Sequence, residues 1–154
     1  MERGGPAPER AIYGTILATA LIATLSDEPG ATPAEIAVAV AGTGVGFWLV
    51  HAYAAVLTRS TRPNWAGVGA GLARELPLLE GALLPAIPLL LAPVGVLSDD
   101  AAEWLALGVG LGVLVLEGLA LGRRAGYGRF GVALTGAINL AIGLAVVSLK
   151  AVVH

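Results

Sequence analysis

The feature that most constrains this chain is the spacing of its charges. Long apolar runs are almost free of them, and VLVLEGLAL, residues 113–121, holds a single acid, Glu117. Five hydrophobic segments emerge: about Ala11 to Leu25, Ala34 to Thr58, Leu72 to Leu97, Ala101 to Leu121 and Phe130 to Val153. Most match the roughly 20 residues that cross a bilayer as a helix. Of the 154 residues 56% are hydrophobic and 13% charged, against about 25% charged in a soluble domain. The pattern predicts an all-α, polytopic membrane protein with five transmembrane helices, an integral protein of the plasma membrane if the cell is prokaryotic.

The first segment follows Arg3 and Arg10 and is short enough to be mistaken for a signal peptide. It ends in Leu25-Ser26-Asp27-Glu28-Pro29, a poor small-x-small cleavage site, and is read as a retained helix. Residues 1–10 read as a cytoplasmic arm and 11–154 as one transmembrane domain. The sequence has no Cys, which excludes disulfides and thiolate chemistry. Net charge is −2 with no basic block, so nucleic acid is not an expected partner; the lipid bilayer is.

The basic residues set the orientation. Arg3, Arg10, Arg59, Arg62, Arg74, Arg123, Arg124 and Arg129 fall at one end of the segments. Asp27, Glu28, Glu35, Asp99, Asp100 and Glu103 fall at the other, with Lys150 as the only base. The positive-inside rule then places the N-terminus in the cytoplasm and the C-terminus outside. Thr32-Pro33 and Ser98-Asp99-Asp100 read as helix starts. Pro77, Pro85, Pro88 and Pro93 predict that the third helix is kinked or broken, since each removes a backbone donor and crowds the preceding turn.

Glycines recur as Gly42-x-Gly44-x-Gly46 and Gly108-x-Gly110-x-Gly112, with Gly118 and Gly122 continuing the second stripe. Small residues four apart let helices approach closely, within a subunit or between subunits of a homo-oligomer. No strand precedes them, so they do not read as a dinucleotide fold.

Four polar groups share one depth near the basic end. Glu117 lies six residues before Arg123 and Glu80 six after Arg74, so each is roughly 9 Å in. His51 lies roughly 12 Å in, and Asn139 roughly 15 Å in. A lone charge at a helix centre costs about 2.5–3.5 kcal/mol on insertion scales, so such carboxylates usually face a bundle interior, a partner or a bound cation. The expected site is Glu80, Glu117 and His51, as metal ligands or a proton relay, with Asn139 in support. Oxygen and imidazole ligands suit Mn²⁺ or Fe²⁺, with the metal as substrate, and the same groups can pass protons. Two other readings remain open: an intramembrane enzyme on a lipid or isoprenoid with Glu80 and Glu117 as acid and base, and a non-catalytic scaffold with both glutamates tied to arginines. No H-E-x-x-H, G-x-S-x-G or P-loop is present.

The five-helix plan, GALLPAIPLLLA at 81–92 and FGVALTGAINLAIGLAVVSLK at 130–150 resemble the vacuolar iron transporter family. The resemblance implies a dimeric transporter of Fe²⁺ or Mn²⁺. The chain departs from that family where its ligands would be. Ile12-Tyr13-Gly14-Thr15 replaces the Asp-Gly opening of the first helix, Met1 is the only Met, and the loop after the second helix is short and basic. No ligand carries across residue by residue.

Overall fold

The computed structural model describes residues 8–59 and 65–153. Five α-helices account for nearly all of them: α1 (Pro8–Leu25), α2 (Pro33–Arg59), α3 (Trp65–Leu83), α4 (Asp99–Arg124) and α5 (Arg129–Val153). A 3-10 segment, Leu84–Leu91, extends α3. Arg3 and Arg62 lie outside the described residues, as do the arm's residues 1–7; Pro8, Glu9 and Arg10 belong to α1.

The helix starts follow the sequence signals. Thr32 and Glu35 close a capping box: Thr32 N donates to Glu35 Oε2 at 2.9 Å and Glu35 N to Thr32 Oγ1 at 3.3 Å. Ser98 caps α4 by accepting from Ala101 N at 3.3 Å. The third segment does break at its prolines. Pro77 is tolerated inside α3, but Pro85 and Pro88 fall where the α-helix gives way to the 3-10 segment. The chain then turns through Gly95 at φ +75°. The α3 helix starts at Trp65, earlier than the apolar run from Leu72, and takes in the small-residue stretch Ala66-Gly67-Val68-Gly69-Ala70-Gly71.

Among the described residues, three helices are long and apolar enough to cross a membrane: Pro33–Thr58, Asp99–Arg124 and Arg129–Ser148. The other two, α1 and α3, carry the charges Glu9, Arg10, Arg74, Glu75 and Glu80. They are also packed tightly together, and α1 touches every other helix. Ala18, Ile22 and Ala23 of α1 meet Ile36, Ala37 and Val40 of α2, Ala82 of α3, Ala86 and Leu89 of the 3-10 segment, and Ala106 and Leu107 of α4 in one buried cluster. A central helix needs less apolar surface than its shell, since neighbours rather than solvent cover it.

Small residues set the crossing of α1 and α3. A Cβ on Gly14 would collide with Leu78 O, and one on Gly81 with Ala11 O. Each helix thus sits with its backbone against the other's. The α4 stripe splits by face. Gly110, Gly118 and Gly122 meet Thr19, Asn139 and Thr135, whereas Gly108 and Gly112 face open space.

Candidate functional site at the crossing of α1, α3 and α4

Thr15 is fully buried where the three helices meet. Its Oγ1 lies 3.0 Å from Ala11 O, 3.2 Å from Gly81 O and 3.2 Å from Glu117 Oε1. Gly14 and Gly81 are what let α3 come this close. A hydroxyl has one proton to give, and three oxygens surround it. Two are main-chain carbonyls, which only accept. The contact with Glu117 is satisfied fully when the glutamic acid carries a proton and donates it to Thr15 Oγ1. Glu117 Oε2 is buried and has no hydrogen-bond partner. A carboxylate in that position leaves a charged oxygen unsolvated, whereas a neutral acid leaves only a carbonyl-like one.

One turn further along α1, Thr19 Oγ1 donates to Thr15 O at 2.7 Å and lies against Gly110. Nearer the basic end, Arg10 Nε stands 2.8 Å from Glu75 Oε2, with the Glu75 side chain almost wholly buried. Arg10 also donates to Arg74 O at 3.4 Å. Glu75 is thus a buried acid, held by the first turn of α1.

The four expected site residues do not converge. Glu117 turns inward to Thr15. Glu80 adjoins Gly81, at the same level, and is exposed on the outer face of α3. His51 is half-buried against Tyr13 and Phe47, with ring centroids 5.7 and 6.2 Å away. Its Nδ1 donates to Phe47 O at 2.9 Å, since a carbonyl only accepts. Asn139 of α5 is buried against α4, where its Nδ2 fills the space above Gly118. Among the described residues no three His, Asp or Glu side chains are grouped so as to hold a metal ion, so Glu80, Glu117 and His51 do not form a ligand set within one chain.

Thr15, Thr19 and the Arg10–Glu75 pair were not singled out from the sequence. The signal for the threonines was present, since Ala11, Thr15, Ala18 and Thr19 form one small-residue stripe through α1. No family model, curated protein or solved structure matches this chain.

Proposed function

We propose that this chain is an integral membrane bundle of five helices, basic end in the cytoplasm, that moves a small cation with Glu117 as the binding group. The central position of α1 supports its counting as a span, because four neighbours shield its polar atoms. The continuation of α3 into Leu84–Leu91 gives it the length to cross.

The cation favoured is the proton. The observation that carries this is the arrangement around Thr15: a half-buried Glu117 whose Oε2 is buried and unpartnered and whose Oε1 faces a hydroxyl already surrounded by acceptors. That environment suits an acid that holds one proton and can release it. A divalent metal asks for several hard ligands at once, and no group of three His, Asp or Glu side chains that could hold one stands among the described residues. The outward placement of Glu80 also weighs against an acid–base pair with Glu117.

The test is flux in sealed proteoliposomes, following internal pH and internal Mn²⁺ together. The wild-type chain is expected to carry a proton flux that Glu117→Gln abolishes, with no Mn²⁺ entry. Folded wild-type protein that moves neither ion, or a Glu117→Gln variant with full proton flux, overturns the proposal.

A further inference from the structure

The turn between α4 and α5 encloses an open hollow of about 410 Å³, lined by Leu119, Arg123, Tyr127, Arg129, Val132 and Ala133. That is the size of a small-molecule site. The turn that shapes it is pinned by its own backbone: Ala125 N donates to Leu121 O at 2.9 Å, Gly126 N to Arg123 O at 3.1 Å and Tyr127 N to Gly122 O at 3.1 Å. Gly126 makes the reversal at φ +74°. These bonds occupy the last carbonyls of α4, so the negative end of that helix is covered. The N-terminus of α5 opens beside them.

The walls differ in character. Arg123 and Arg129, with Tyr127 beside them, form one side, and neither arginine makes an ion pair among the described residues. Leu119, Val132 and Ala133 form the other, about one turn further from the basic end. Exposed Tyr127 and Phe130 flank the opening, as aromatic side chains do at a membrane interface.

We infer that this hollow seats the headgroup of an anionic phospholipid from the leaflet on the basic side. The phosphate lies between Arg123 and Arg129, and the start of an acyl chain lies along Leu119, Val132 and Ala133. Guanidinium forks match phosphate oxygens in pairs, and basic hollows between helices at this level are lipid-headgroup sites. The apolar wall selects a lipid over a free phosphate, which would gain nothing from it. The inference rests on the membrane reading above but not on Glu117 moving a cation.

The test is native mass spectrometry of the detergent-solubilised full chain, after incorporation into vesicles of phosphatidylglycerol or phosphatidylcholine. The wild type is expected to retain phosphatidylglycerol and release phosphatidylcholine. Retention should fall about fivefold with Arg123→Gln or Arg129→Gln alone, and on the order of 25-fold with both. Ala133→Trp, which fills the hollow without touching a charge, should also release the lipid, and millimolar inorganic phosphate should not. Equal retention of both lipids, unchanged retention in the double variant, or displacement by phosphate overturns the inference. A wild-type chain that enters neither vesicle overturns both this and the membrane reading.

Discussion

Arg10 in the first turn of α1 holds Glu75 of α3 through a 2.8 Å contact, with only 4% of the Glu75 side chain exposed. The pair ties α1 to α3 near the end where the arginines gather. Removing one partner strands the other, and for a buried pair that costs about 3–5 kcal/mol. Arg10 keeps a quarter of its side chain exposed, which places Arg10→Gln at about 3 kcal/mol, the low end of that range. The double variant Arg10→Gln/Glu75→Gln should recover much of the loss, since it strands no charge. Thermal unfolding of the four proteins in detergent gives the cycle. Additive losses would mean that the two side chains do not depend on each other.

The charge asymmetry, the helix starts at Thr32 and Ser98 and the break at Pro85 and Pro88 were legible in the sequence because each is a local or one-dimensional signal. Depth was legible too: Glu117 and the Glu80–Gly81 step do stand at one level, on either side of Thr15. Rotation was not. Whether Glu80 or Gly81 faces α1 is a difference of 100° on one helix, and it is set by Gly14 and Gly81 fitting together across the chain. Nothing in a single sequence pairs those two glycines. The same gap hid Glu75, whose partner Arg10 lies 65 positions away, and set Asn139 against Gly118 rather than beside Glu117's partner Thr15.

The glycines can be sorted by what a methyl group would meet. Gly14→Ala and Gly81→Ala place a Cβ on the facing backbone of α3 and α1. Backbone cannot rotate aside as a side chain can, so the helices must separate. Each variant is expected to lose about 3 kcal/mol or more, at the upper end for overpacking. Gly42→Ala and Gly46→Ala meet nothing within 4 Å and should be neutral or stabilising by up to about 1 kcal/mol from helix propensity. Melting temperatures of the four variants check this, and equal losses at all four positions would contradict the α1–α3 crossing.

If Glu117 is a neutral acid in the folded chain, Glu117→Gln exchanges one neutral group for another of the same shape. The change in stability should stay within about 1 kcal/mol, the scale of a single exchanged hydrogen bond. Thr15→Val should cost more, about 1–3 kcal/mol, because it removes the one hydroxyl that Glu117 touches and leaves the acid without a partner. Equilibrium unfolding of both variants is the measurement. A Glu117→Gln protein several kcal/mol more stable than wild type would show that the native group carries a buried charge, and that would count against the proton-holding acid.

Gly110 offers a test of the contact between α1 and α4 that does not depend on Glu117. The atoms that a Cβ at Gly110 would meet all belong to one side chain, Thr19, with its Oγ1 nearest and its Cβ and Cγ2 at 3.4 Å. Thr19 cannot simply turn away, since it is fully buried and its hydroxyl donates to Thr15 O at 2.7 Å. Gly110→Ala alone should therefore cost about 1–3 kcal/mol as an overpacked site. Thr19→Ala alone gives up one hydrogen bond, worth about 1 kcal/mol, and opens a small void. Combined, the alanine at 110 fills the void that the alanine at 19 leaves, so the double variant should be more stable than Gly110→Ala and less damaged than the sum of the two. A coupling of about 1 kcal/mol or more, measured by the double-mutant cycle, is expected for residues in such contact. Independent, additive losses would mean that α4 presents a different face to α1, and the assignment of Glu117 to the Thr15 site would fall with it, because Gly110 and Glu117 lie on the same side of that helix.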